Sequence, residues 1–556
     1  MFIPSKFVHF SETPSNALNW RLAFAVIGMG LLGASRGIDE GLIGGMISQK
    51  KFEKDFDIVA KSNKESNVTA MVQLFSVLGA ILGYPISERL GRVRGAQIAC
   101  ILVLFGNALW AGSKGNYAML MAARAISGTG VGLTPIVAPI FLVEVAPKQI
   151  RGLCTSVYSF NVYLGLLLAY CTNLGVKTHI NNKTDAIWQV PLSLSFALHS
   201  VVLLCVVFLK ESPRWLMMKG RTEEASTSLE WYRGMEPREQ AFVEEFELIA
   251  DSVRQEKEAT DGLGFISKVR ELFGNKNNQF KLVLCVLIQV LGQWQGPGAL
   301  STYANRILTL IGVHDTRGYV MSAGFGAVKL GAGILSSFFL IDLFGRRRTL
   351  WVSTLCQGLA MLWIAIYLGV YIDHKHAASK AASEAALAGI FIAGASWSAG
   401  GNLAQYLINS EIFSLDVRAL SASFVMAFHF LMQYSTTRAV QPMLNSGLKG
   451  AGTFAIFAGM SLLVALPVYL FFLPETSGQS LERIDELFDL PWYKIGRASR
   501  RPVRDEMPSH SMPAALESQW QQDGAAVSSS AEAKDKDKEM GYAASQPAIY
   551  AIRDAK

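Results

Sequence analysis

Arg36, Asp39 and Glu40 stand three and four residues apart in the first long apolar run of the chain, inside Gly33-Ala34-Ser35-Arg36-Gly37-Ile38-Asp39-Glu40-Gly41. A charged side chain at bilayer depth costs about 2.5–3.5 kcal/mol on insertion scales, so ionisable groups there face a cavity or a partner. Which of these charges has a function is the question the stretch poses. Lys329 lies well inside a later apolar run. Lys329 and Arg36 together could receive a carboxylate; equally, Arg36 neutralises its helical neighbours and Lys329 bonds to backbone carbonyls. His429, in another such run, suits either a hydrogen-bonding role or titration near neutrality.

The elements that must position these groups follow from composition. With 556 residues, 51% hydrophobic, 17% charged and 49 glycines, the chain reads as a polytopic helical membrane protein. Runs matching the roughly 20 apolar residues of a membrane span recur along it. Punctuation by Gly, Pro and charge gives helices centred near 33, 77, 104, 130, 162, 200, 292, 331, 360, 398, 430 and 463. The fold class expected is therefore all-α, with twelve transmembrane helices and both termini on one side. Arg89, Arg92, Arg94, Lys148, Arg151, Arg346, Arg347 and Arg348 make that side cytoplasmic by the positive-inside rule, while Lys50, Lys51, Lys54, Lys61 and Lys64 of the first external loop argue the other way.

The net charge of +7 reflects these topology signals and implies no nucleic-acid partner. All six cysteines fall in or beside apolar runs without metal-ligand spacing, which suits packing. No cleavable signal peptide is expected in Met1 to Asn19. No phosphate loop, metal cluster or placed nucleophile and base is evident, so neither an enzyme nor a cofactor is expected. Asn67-Val68-Thr69, expected in the first external loop, and Asn182-Lys183-Thr184, expected between the fifth and sixth helices, fit the glycosylation sequon and both fall on the expected external side.

Internal repetition is the strongest organisational signal. Glu88 and Gly91-Arg92 follow the second helix, as Asp342 and Gly345-Arg346-Arg347 follow the eighth. Glu144 and Arg151 follow the fourth as Glu411 and Arg418 follow the tenth, and Glu211-Ser212-Pro213-Arg214 ends the sixth as Pro474-Glu475-Thr476 ends the twelfth. Three matched stations in one order point to two homologous six-helix halves, with a binding site near the midplane between them. The expected domains are a cytoplasmic N-terminal segment (1–20), a first half (21–209), a cytoplasmic helical linker (210–279), a second half (280–473) and a tail (474–556) that is mostly disordered beyond Leu490.

These stations resemble the sugar porter family of the major facilitator superfamily, particularly its fungal sugar and quinate-type members, over roughly Arg21 to Phe488. The resemblance rests on Arg124 with Gly128, Gly130 and Gly132; Pro139 to Glu144 with Ala146-Pro147-Lys148 and Arg151-Gly152; Glu211 to Leu216; Asp342 to Arg347; and Pro474 to Gly478 with Leu481-Glu482. It implies two pseudo-symmetric six-helix bundles working by alternating access, with Asp39 as proton carrier and Arg124 facing it. Bidentate acid–guanidinium pairs among Glu88, Arg92, Glu144, Arg151, Asp342, Arg346, Arg347, Glu411 and Arg418 form a cytoplasmic gate that holds the halves together, or else these charges only fix topology.

At the substrate positions the chain departs from that family. Gly292-Gln293 and Gly298 stand for a glutamine pair and an asparagine, with Tyr303 nearby; Ser159 stands for a glutamine, Asn402-Leu403 for Gly-Pro and Tyr406 for a tryptophan. His429, Phe430 and Gln433 replace glutamine, tryptophan and asparagine, and Arg36 stands where an aromatic is common. Lys329 is shared with some fungal relatives resembling quinate permeases. The set still supplies convergent amide, hydroxyl and aromatic groups. The function expected is a proton-coupled plasma-membrane importer of a monosaccharide or related polyol, its partners being that small molecule, protons and the lipid bilayer. A sugar-acid or quinate-type transporter, a facilitative uniporter and a non-transporting nutrient sensor are the rivals.

Overall fold

The computed structural model describes residues 19–499, apart from 60–61, 148–149, 182, 261–264, 374–379, 478 and 480. Every regular element among the described residues is a helix. Ten are long and apolar enough to cross a membrane: α1 (Trp20–Met46), α2 (Asn63–Leu90), α3 (Arg92–Ala111), α4 (Tyr117–Val145), α5 (Arg151–His179), α6 (Ala186–Val207), α7 (Lys276–Thr302), α8 (Asp315–Leu340), α9 (Arg346–Ile372) and α12 (Lys449–Phe471). Two more long helical stretches are α10 (380–411) and α11 (Leu415–Asn445). Each helix centre expected from the sequence falls inside one of these segments.

Local chemistry sets the ends. Asn19 caps α1 by accepting from the Leu22 N–H at 2.9 Å, and Asn116 caps α4 by accepting from Met119 at 3.2 Å. α7 breaks between Trp294 and Pro297, and α10 contains a π turn at Trp397–Gly401, just before its polar residues. Large apolar side chains remain exposed on α3 (Phe105, 59%), α6 (Leu204, 61%), α9 (Trp363, 43%) and α12 (Leu463, 79%), as surfaces meeting lipid require.

Inside, α1 packs along α5, α2 against α4 and α11, and α5 against α8. The α1–α5 approach depends on Gly33, Gly37 and Gly41. A Cβ at Gly33 or Gly37 would run into the carbonyl oxygen of Tyr158 or Val162, and one at Gly41 into the Ala169 methyl group. Small residues at this spacing let two backbones touch. The charged residues between them leave from the other faces of α1.

Between α6 and α7 the chain forms helices at Pro213–Met218, Thr222–Arg233, Gln240–Thr260 and Phe265–Gly274. Just past Leu490 a short helix forms at Trp492–Ala498, where Ile495 is buried and the Gly496 carbonyl accepts from Arg347 at 2.6 Å. One expectation needs correcting. The Asn67 sequon lies within α2 rather than in a loop, with Thr69 buried and bonded to the Glu65 carbonyl. Asn182, Lys148 and residues 500–556 lie outside the described residues.

Candidate functional site

Asp39 leaves α1 toward α4 and meets Arg124 there. Nη1 lies 3.1 Å from Oδ1 and Nη2 3.4 Å from Oδ2, a two-point pair. Arg124 is 1% exposed and its guanidinium lies 5.5 Å from the centre of the Trp110 ring. One proton on Asp39 removes the charge that Arg124 faces, so this pair can serve as a protonation switch.

Arg36 and Glu40 point elsewhere, into a closed ring of hydrogen bonds. Arg36 Nε donates to Glu40 Oε1 at 3.2 Å, Nη2 donates to Gln433 Oε1 at 3.2 Å, and Gln433 Nε2 donates back to Glu40 Oε1 at 2.5 Å. Arg36 Nη1 also donates to the Tyr406 hydroxyl at 2.7 Å, and the Phe430 ring centre lies 5.5 Å away. Helices α1, α10 and α11 are thereby joined through groups that are all nearly or wholly buried.

Lys329 reaches inward from α8 and donates to Ser301 Oγ at 2.6 Å. The faces of Tyr163 and Phe325 lie 5.2 and 5.4 Å from its Nζ. No carboxylate lies within ion-pair distance of it among the described residues. His429 Nδ1 contacts Gln289 Oε1 at 2.7 Å, Gln293 Nε2 lies 3.4 Å from the same nitrogen, and the Tyr406 ring sits 5.9 Å from the imidazole.

The other expected positions divide. Gly298 faces Gln433, so its missing side chain leaves room beside that amide. Ser159 and Asn402 are buried. Tyr303 turns away from the ring and donates to the Thr437 carbonyl at 3.3 Å. It lies toward a second set of contacts, where Glu65 pairs with Arg306, Arg306 donates to Gln441 at 2.7 Å, and Gln49 donates to the Tyr319 hydroxyl at 3.0 Å.

At the opposite end the repeated stations adopt matching geometry. Arg92 pairs with Glu144 at 2.9 Å and Glu88 at 3.1 Å, and Arg346 pairs with Glu411 at 2.9 Å. Glu211 accepts from the backbone N–H groups of Arg92 and Val93; Glu475 accepts from those of Arg346 and Arg347. A Cβ at Gly91 or Gly345 would strike the Glu211 or Glu475 carboxylate, and their φ angles of +103° and +80° already demand glycine. Burial pushes the Glu211 carboxyl up, and the N–H groups it accepts from pull the other way.

Three expected gate residues sit differently. Arg347 turns into the protein and donates to the carbonyls of Tyr469, Leu470 and Gly496. Arg418 donates to the Phe413 carbonyl, and Arg151 is exposed, outside these ion pairs. The expectation that these pairs hold the halves together is corrected: they join neighbouring helices within one expected half, α3 with α2 and α4, and α9 with α10. For Asp342 the structure describes only the backbone.

Sequence reasoning left Glu40 without a role and passed over Gln289, Ser301, Glu65 and Arg306. Gln289 had a signal, since it stands one helical turn before Gln293. Glu65 and Arg306, 241 positions apart, had none.

Comparison with known proteins gives the family and the fold. The family model described as "Sugar (and other) transporter" matches residues 25–488. A probable quinate permease of Aspergillus niger is 28% identical over 487 residues, covering 86% of this chain and 89% of the relative. The quinate permease of Emericella nidulans is also 28% identical, covering 86% and 90%. Among solved structures, the proton:xylose symporter XylE bound to 6-bromo-6-deoxy-D-glucose superposes with a TM-score of 0.69 at 21% identity, covering 84% of this chain and 99% of the other. A partially occluded inward-open form of the E. coli protein gives 0.68 at 21% identity, covering 83% and 100%. The fold is thus of the major facilitator type, and this multi-pass membrane chain, a transport protein and not an enzyme, belongs to the sugar (and other) transporter family.

Proposed function

We propose that the protein carries a small polyhydroxylated molecule, a monosaccharide or a sugar acid, across the membrane together with protons by alternating access. The observation that carries this reading is the separation of two charged devices on one helix: Asp39 pairs with Arg124, while Arg36 and Glu40 enter a polar ring completed by α10 and α11. One device can exchange a proton and the other can hold hydroxyls, and α1 links them. The relatives named as quinate permeases and the fold of a proton:xylose symporter support the same pairing of proton and polyol.

In this reading all twelve long helices span the membrane as two six-helix halves. The packing supports it, because α1 on α5 is matched by α7 on α11, α3 on α6 by α9 on α12, and α2 on α11 by α5 on α8. Arg92 and Arg346 then mark the cytoplasmic end, with both termini there, and Glu65–Arg306 the external end of a plasma-membrane importer. A sugar-acid substrate is favoured by Lys329, a buried cation whose hydrogen bond goes to a hydroxyl.

The test is uptake by a transport-null strain expressing the protein, across hexoses, pentoses, polyols, uronates and quinate, with external pH followed. Substrate-dependent alkalinisation of the medium with concentrative uptake is expected. Uptake that only equilibrates would show a uniporter, and altered nutrient signalling without uptake would show a sensor.

A further inference from the structure

Among Arg36, Asp39, Glu40, Arg124 and Lys329, three cations face two acids. Asp39 and Arg124 answer each other. Glu40 lies 3.2 Å from Arg36, and no carboxylate lies within ion-pair distance of Lys329 among the described residues. The site is therefore one negative charge short.

The two cations differ as anion seats. Lys329 offers a single ammonium already engaged by Ser301. Arg36 offers a planar fork steadied by the Phe430 face, with the Tyr406 hydroxyl and the Gln433 amide beside it, so that donors from α1, α10 and α11 converge. Such a fork matches a carboxylate at two points. In this structure Glu40 Oε1 fills that place, accepting from Arg36 and Gln433 at once. Gly298, opposite the Gln433 amide, leaves space alongside.

We propose that Glu40 is a resident stand-in for a substrate carboxylate. A carboxylate-bearing polyol displaces it from Arg36 and Gln433, so that three cations then face three anions. Glu40 sets specificity: it lowers affinity for any anion that cannot evict it and leaves neutral polyols unaided by Arg36. This rests on the proposed transport of a polyol or sugar acid and adds to it how the acid is chosen.

The experiment measures equilibrium binding of quinate and of its methyl ester to the full-length protein in nanodiscs, for the wild type and Glu40→Gln. The amide keeps the size of the side chain and removes the competing charge. Quinate is expected to bind at least about tenfold tighter to Glu40→Gln and to raise its melting temperature more than that of the wild type, with the ester changed less than about twofold. Parallel weakening of both probes, or no difference between the proteins, overturns the proposal while leaving polyol transport standing. Binding of neither probe, nor of D-glucose or D-xylose, to the wild type overturns the transport reading and the proposal with it. Tyr406→Phe serves if Glu40→Gln does not fold: loss of one donor from the seat should weaken quinate several-fold more than the ester, and equal weakening counts against the seat.

Discussion

Arg36 and Glu40 lie one helical turn apart on α1, 3.2 Å between Nε and Oε1, and both hold the same amide, that of Gln433 on α11. A pair that shares a third partner on another helix is more than a local neutralisation. Removing one member leaves a buried charge unanswered, which costs about 3–5 kcal/mol, whereas removing both costs far less. Arg36→Met and Glu40→Met should each lower the melting temperature of the purified protein strongly. The double substitution should recover much of the loss. Additive losses in a double-mutant cycle would mean that the two charges are answered independently.

Asp39→Asn keeps the size of the side chain and cannot ionise. Exchange of substrate down its gradient is expected to survive while concentrative uptake falls to an accumulation ratio of about one, since no proton then carries the roughly 2.3 kcal/mol per 100 mV. In the wild type, uptake should fall as external pH rises, and in Asp39→Asn the exchange rate should be flat with pH. Radiolabelled uptake and counterflow across a pH series in proteoliposomes distinguish the two.

Gly37→Leu puts a side chain into the backbone of α5 at Val162. Overpacking of this kind typically costs about 1–3 kcal/mol, and more where the obstacle is backbone rather than a side chain. The substitution should abolish a monodisperse size-exclusion peak, while Gly175→Ala, where a Cβ meets nothing within 4 Å, should be neutral.

Arg92→Ala and Arg346→Ala remove the guanidinium of matched stations, each bonded to a carboxylate at 2.9 Å. Both should increase labelling of an engineered cysteine at that end of the bundle. Arg306→Ala, which releases Glu65 at the other end, should shift labelling in the opposite sense. Similar labelling changes at both ends would show loosening of the fold rather than biased gating.

What could be read in the sequence follows from which interactions are local. The ten apolar spans and the repeated stations are written in composition and fixed spacing, so their positions were visible. α10 and α11 carry Asn402, Gln405, Tyr406, His429 and Gln433 among their apolar residues, buried or nearly so, and which of these meet one another is not written in the spacing. Arg36 was legible as an anomaly and its partner was not. Helical spacing allows Arg36 to meet Asp39 or Glu40 equally, and only the placement of Arg124 on α4 decides that Asp39 is taken elsewhere. Arg347 misled for a similar reason: an arginine next to the gate arginine Arg346 looks like a second one, until the carbonyls of Tyr469, Leu470 and Gly496 are seen to accept from it.

Where α1 meets α5 there is no clearance at Gly33 and Gly37, so the joint has no play. α1 cannot roll about its own axis without driving side-chain bulk into the α5 backbone. Any displacement that follows a change of charge at Asp39 must therefore be handed to α5 as a push or a slide. α5 in turn bears on α8 through Tyr163 against Gly333 and Leu167 against Gly326, the helix from which Lys329 projects. The carboxyl group on the first helix and the amine on the eighth are thus ends of one short gear train, and slack introduced at any contact along it should show as lost timing between them.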